Sequence, residues 1–270
     1  MEFLKNWKKV VCDARFWIAF FAVVRLYGIT DPPLEVVHNW RQSTVAMVAR
    51  NFYETSPELL YPRLDIDGNG TGIEGMEFPV LNYCIFLVAE VFGYDHWYGR
   101  LINLVVSSFG IWCLFLLLRN YATERLALMA VIILEVSMWF VYMRKMMPDT
   151  FSVSLVLCGM YFAIGYLLEK KNGWWLVASL LLILLGTLSK IPAACLLPAL
   201  FLPFFKSTLN RKIVFAIAGA VAMAPVFWWY FSWVPYLNAH FGTGHFFMGQ
   251  SFSEGFKSIA HEPGNLFYYF

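Results

Sequence analysis

Charge is what this chain has least of. Asp, Glu, Lys and Arg make up 14% of its 270 residues, against about 25% in an ordinary soluble domain. The net charge of +2 carries no message about nucleic acid, and no nucleic-acid partner is expected. The five cysteines, at positions 12, 84, 113, 158 and 195, show neither a metal-ligand spacing nor a disulfide framework, and all lie in or beside apolar segments. They read as small buried hydrophobes. A cleavable leader is also missing. The basic N-terminus precedes "FWIAFFAVV" (16–24), but Arg25 follows and no small-x-small site appears, so the segment reads as an uncleaved first span. Last, "DIDGNG" (65–70) lacks the acid that would complete a calcium loop. Asp65, Asp67, Asn69 and Gly70 fall in EF-hand register, yet position 12 is Met76 and Glu74 and Glu77 fall at 10 and 13. A tight Asp/Asn/Gly turn is the simpler reading, with a loosely held divalent ion beside Asp65, Asp67 and Asn69 as the alternative. No cofactor is otherwise expected.

What is present is hydrophobicity, at 60% of residues, with 19% aromatics. Apolar runs recur at 101–118, 126–142, 150–168, 174–189, 191–205 and 213–231. With the N-terminal segment they predict an all-α polytopic membrane protein, one transmembrane domain over 1–270 with about seven spans. Pro192, Pro198 and Pro203 predict a kink in the fifth run. The stretch 78–93 is ambiguous. If it lies on the surface, Lys5, Lys8, Lys9, Arg15, Arg119, Arg125, Lys170, Lys171, Lys206, Arg211 and Lys212, eleven of the 20 basic residues, share the cytoplasmic side. If it crosses, "KSTLNRK" (206–212) is exported. The positive-inside bias favours the first arrangement. Residues 25–100 then form one long external region carrying a membrane-hugging helix with Glu90 on its polar side. A C-terminal segment, 232–270, is external, and "NLFYYF" at its end reads as the opening of a further span, so the chain is expected to be incomplete.

The same topology places "MRKMMPDT" (143–150) and "SKIP" (189–192) beside the long loop. Arg100, Arg144, Lys145 and Lys190 sit at external span ends against the charge bias, where a lipid phosphate is one reason and headgroup snorkelling the other. Glu135 falls mid-run and calls for a partner inside the bundle.

The runs "VVHNWRQSTVAMVARNFYE" (36–54), "YPRLDIDGNGTGIEGMEFPVLNYCIFLVAEVFGYDHWYGRLINL" (61–104) and "RKMMPDT" (144–150) resemble membrane glycosyltransferases of the GT-C superfamily. The resemblance is nearest to bacterial enzymes related to protein O-mannosyltransferases and lipid A aminoarabinose transferases, over about residues 15–200. It implies a helix bundle whose first external loop, with juxtamembrane helices, covers a cavity. It implies a multi-pass protein of a bacterial inner membrane with its active site facing outside the cytoplasm. It implies transfer of a sugar from a polyprenyl-phosphate carrier to an extracytoplasmic lipid, glycan or protein, usually with inversion; membrane lipids are the other expected partners. Such chemistry needs a base for the acceptor hydroxyl and cations for the departing phosphate. The candidate bases are Glu77, Asp149 and His38, and the candidate phosphate ligands are Arg100, Arg144, Lys145 and Lys190. Trp40, Arg41 and Gln42 are candidates for stacking on and hydrogen-bonding a sugar.

Each has a structural alternative: Asp149 as a helix cap, Glu77 as an ion-pair partner of Arg63 or Arg41, His38 as a loop hydrogen-bonder, and the Trp40 group as packing. Two departures stand out. Relatives carry an Asp in the first-loop helix where this chain reads "WRQSTV", and aminoarabinose transferases tend to have a Lys where Glu77 precedes "FP". The rival functions are a transporter, which needs intramembrane relay charges, and a non-catalytic membrane scaffold.

Overall fold

The computed structural model describes residues 10–33, 38–66, 68 and 70–241, with Phe140 described by its backbone alone. Eleven α-helices are named here: α1 Ala14–Arg25, α2 Asn39–Glu54, α3 Val80–Phe92, α4 Tyr98–Arg119, α5 Glu124–Glu135, α6 Met138–Met143, α7 Pro148–Leu167, α8 Gly173–Ser189, α9 Phe201–Lys206, α10 Leu209–Trp228 and α11 Val234–His240. Among the described residues the extended structure is one isolated bridge, Arg63 with Ile73. The protein is all-α, as the composition predicts.

Three helical stretches are long and apolar enough to cross a membrane unaided: α4, α7 and the continuous rod Leu209–His240. Val80–Phe92, Gly173–Ser189 and Ile191–Lys206 are shorter apolar helices. The ambiguous segment 78–93 is thus a helix of 13 residues, about 20 Å long at 1.5 Å per residue, short of the roughly 30 Å hydrocarbon core. Leu87, Val91 and Phe92 on it are exposed, as is Glu90.

The α7 helix is the hub: 72% of its apolar window is buried, against 11% for Leu209–His240, which lies at the rim. Small residues let the spans approach. A Cβ on Gly110 of α4 would lie 2.4 Å from that of Ser154 on α7, and one on Gly186 of α8 would lie 2.8 Å from the Ser152 carbonyl oxygen.

Three runs depart from simple spans. The 126–142 run breaks at Val136–Ser137, so Glu135 is a helix end rather than a mid-span residue. The reason lies in α1. Arg25, fully buried, donates through Nη2 to the Glu135 carbonyl at 3.1 Å and also to its carboxylate. Ser137 then accepts from Trp139 N at 3.2 Å and starts α6. The missing partner of Glu135 is therefore Arg25. The proline-rich run begins as a 3-10 helix, Ile191–Leu200, before turning into α9; the prolines remove amide donors that a regular α-helix uses. The last run does not stop near 231. With Pro225 inside it, the rod passes through a π-helical turn, Trp229–Trp233, into α11. Of the predicted external C-terminal segment, 242–270 lie outside the described residues.

Candidate active site

The long loop between α1 and α4 folds over the ends of α4, α7, α8 and the rod. Leu64 N donates to Gly72 O at 2.8 Å and Glu74 N to Pro62 O at 3.0 Å, closing the 62–74 hairpin. Gly72 has φ +68, and a Cβ there would strike the Leu64 carbonyl oxygen at 2.4 Å, so only glycine makes this turn without strain. Asp65 is engaged by its neighbours in α2. Asn51 Nδ2 donates to its Oδ1 at 2.7 Å, and Arg50 pairs with its Oδ2. Asp67 and Asn69 lie outside the described residues. Met76, at position 12 of the calcium register, is buried with Val48, Phe52, Leu64 and Phe86.

The π turn anchors this loop. Trp229, fully buried, donates through Nε1 to Met76 O at 3.0 Å and meets the Phe78 ring edge-on at 4.7 Å. Trp233 Nε1 donates to Leu60 O at 2.9 Å, and Tyr230 OH to Leu188 O at 2.8 Å. The wider π turn brings all three rings onto the loop and the end of α8 within five residues of chain, a placement common at functional sites.

Glu77, fixed between Met76 and Phe78, pairs with Arg41 of α2: Nη2 to Oε1 is 2.8 Å. Of its two expected partners Arg41 is the one used, since Arg63 meets Glu58 at 3.5 Å. The Arg41 guanidinium also lies 5.7 Å from the Trp40 ring, and Trp40 is exposed.

Asp149 and Lys190, 41 residues apart, form a second ion pair, Nζ to Oδ1 at 2.5 Å. Helix geometry sets both partners. Met147 is the N-cap of α7 and makes no side-chain cap bond, so Asp149 belongs to the first turn and is not the cap. Lys190 leaves α8 in extended conformation (φ −160, ψ 109), which turns its side chain toward α7. Asp149 Oδ2 makes no hydrogen bond.

The other candidates lie around the start of α4 and the turn before α7. Arg100 is fully buried, and its guanidinium is enclosed by backbone. It donates to Ile29 O at 3.2 Å, Asp31 O at 2.6 Å and Pro32 O at 3.3 Å. Gln42, also fully buried, accepts from Met146 N at 3.2 Å and Arg100 Nε at 3.4 Å. Arg144 donates to Gly28 O at 3.1 Å, and Lys145 is buried in the turn before α7. His38 Nε2 meets Tyr142 OH at 3.0 Å. Asn103, missed in the sequence reading, ties this turn together: its Nδ2 reaches Lys145 O at 2.7 Å and Thr150 Oγ1 at 3.0 Å. Its signal was available, as an amide inside the apolar run "LINLVV".

Three residues before Lys190, Thr187 meets the sulfur of Met223 at 3.9 Å. Met223 borders an apolar cavity of about 300 Å³, lined also by Ile183, Leu197, Phe204 and Phe215. The cavity lies along α8 and α10, and Thr187 and Met223 stand between it and Lys190.

A helix bundle of this kind, with a long loop and two short helices over acid–base pairs at span ends, is by its likeness to known proteins a GT-C-type integral membrane fold. Residues 77–231, more than half of the chain, match the dolichyl-phosphate-mannose-protein mannosyltransferase family, and the chain belongs to that family. Among solved structures, the crystal structure of ArnT from Cupriavidus metallidurans bound to undecaprenyl phosphate shares the fold. It is 19% identical, with a TM-score of 0.61 over 86% of this chain and 43% of that one. The chain therefore spans less than half the length of that protein. No curated protein matches it.

Proposed function

We propose that this chain carries the site at which a sugar is moved from a polyprenyl phosphate to an extracytoplasmic hydroxyl. The Asp149–Lys190 pair carries the reading. It joins a proton acceptor to a cation at the ends of α7 and α8, the two groups that the chemistry at a lipid phosphate requires, and farther along α8 Leu180 and Ile183 line an apolar cavity. Asp149, with Oδ2 uncommitted, takes the acceptor's proton as the hydroxyl oxygen bonds to the sugar's anomeric carbon. The bond from that carbon to the phosphate oxygen breaks, and Lys190 meets the charge left on the phosphate. One displacement without a covalent intermediate inverts the anomeric carbon. The Glu77–Arg41 pair offers a second carboxylate and cation, with Trp40 as an exposed ring for a sugar face. Arg100 belongs to the frame. Undecaprenyl phosphate is the ligand in the ArnT crystal, which supports the same class of donor here. The transporter alternative loses its main support, because Glu135 is held by Arg25 at a helix end.

Donor binding tests the reading. The purified protein should bind a long-chain polyprenyl phosphate and not the matching polyprenol. Lys190→Gln should weaken binding by roughly tenfold or more, as expected for a charge-assisted contact of about 1.5–3 kcal/mol. Equal binding of phosphate and alcohol would remove the proposed phosphate subsite.

Orientation follows from the same proposal. A cysteine replacing Glu58 in the loop should react with membrane-impermeant thiol reagents in intact cells, and one replacing Asn210 should resist them. The reverse pattern would place the Asp149 face in the cytoplasm.

A further inference from the structure

The opposite end of the bundle holds a second constellation. Arg119 lies 16 residues along α4 from Asn103, about 24 Å at 1.5 Å per residue. There α1, α4 and α5 enclose a polar basin of about 460 Å³, bordered by Cys12, Asp13, Arg15, Trp112, Arg119 and Glu124. The basin continues on two sides. Past Arg15 and Trp112, which border both spaces, it opens into an apolar groove of about 330 Å³ along Ile18, Ala19, Ala22 and Phe109. Past Cys12 and Glu124, again shared, it opens into a second groove of about 450 Å³ along Trp17, Leu128, Met129 and Ile132. One polar basin feeds two apolar grooves that straddle α1. That is the plan of a diacyl lipid.

The charges narrow the headgroup. Arg15 closes on Asp13, Nε to Oδ1 at 3.0 Å and Nη2 to Oδ2 at 2.6 Å, so this pair is neutral toward a ligand. Arg119 and Glu124 make no hydrogen bond or ion pair with any described residue; Arg119 lies 5.6 Å from the Phe115 ring. Among the described residues that line the basin itself, Arg119 and Glu124 are the cation and the anion without an ion pair, and Arg125 borders the second groove beside Glu124. A phosphate complements Arg119 and an ammonium Glu124. An anionic glycerol headgroup offers Glu124 hydroxyls but no cation, and a choline cannot donate a hydrogen bond to it. We infer that this basin is a binding site for a diacyl phospholipid with a primary-amine headgroup, its phosphate on Arg119 and its ammonium on Glu124.

Native mass spectrometry of the full chain in detergent tests the site, with phosphatidylethanolamine, phosphatidylcholine and phosphatidylglycerol of identical acyl chains as probes. One phosphatidylethanolamine per chain should be retained at concentrations where the other two are lost. Arg119→Gln should reduce that retention by tenfold or more. Glu124→Gln, nearly isosteric, should keep binding but treat ethanolamine and choline alike. Lys206→Gln, a basic position at the same end outside the basin, should change nothing. Circular dichroism confirms that each variant keeps its helices before comparison. Equal retention of all three lipids by the unmodified protein overturns the inference, and so does equal loss from Arg119→Gln and Lys206→Gln. Either result means that the chain attracts a lipid annulus and has no built site.

Discussion

Asp149→Asn should lower turnover by about 100- to 10,000-fold, the usual worth of a positioned general base, and leave donor affinity nearly unchanged. The asparagine keeps the shape of the side chain and removes its basicity. It also releases Lys190 from its ion pair at 2.5 Å, so the cation stays available to phosphate. The effect should therefore fall on kcat and not on KM, the mark of an interaction made only in the transition state. Lys190→Gln should behave differently, weakening both, because phosphate carries charge before as well as after the bond breaks. Glu77→Gln gives the internal comparison. Glu77 already pairs with Arg41 at 2.8 Å, so a loss confined to that variant would move the base to the loop. Wild-type turnover in both carboxamide variants at saturating donor would make the two acids structural and send the search to His38.

The largest expected effect on stability lies at the Arg25–Glu135 pair. Both side chains are fully excluded from solvent. Arg25→Met leaves a buried carboxylate without its cation, and breaking such a pair costs about 3–5 kcal/mol. The Arg25→Met, Glu135→Met double variant removes both charges and should recover most of that loss, since well-packed apolar side chains replace buried ion pairs at little cost. Unfolding in detergent should therefore order the proteins as wild type, close to the double variant, then the single one. A double variant as unstable as the single would mean that packing around Arg25 matters and the ion pair does not.

These two sites show what a linear sequence reveals and what it conceals. The fold class was legible because apolar runs longer than a soluble core needs recur along the chain. The meeting of Asp149 with Lys190 was half legible, since topology put both at the same end of their spans. Their direct pairing was not, because it depends on the backbone turning extended at Lys190. The break after Glu135 was hidden for a related reason: its cause is Arg25, 110 residues earlier. Likewise the π turn, which delivers Trp229, Tyr230 and Trp233 to the loop, has no local signature beyond Pro225 and a crowd of aromatics. Arg100 shows a different ambiguity. Its position at a span end fits a phosphate ligand as well as a loop clamp, and the carbonyls of residues 29, 31 and 32 around it appear only in three dimensions. Asp65 is similar: its place in a calcium register says less than Arg50 and Asn51 beside it.

Cleavage of the donor is the most direct measure of the central claim. Purified protein is mixed with a polyprenyl-phosphate sugar, labelled in the sugar, in membranes of the host as the acceptor source, and the released polyprenyl phosphate is followed over time. Wild-type protein should release polyprenyl phosphate and label a membrane component, with Asp149→Asn slower by at least about a hundredfold. Intact donor after prolonged incubation with folded wild-type protein, or equal release by wild type and Asp149→Asn, would contradict the account.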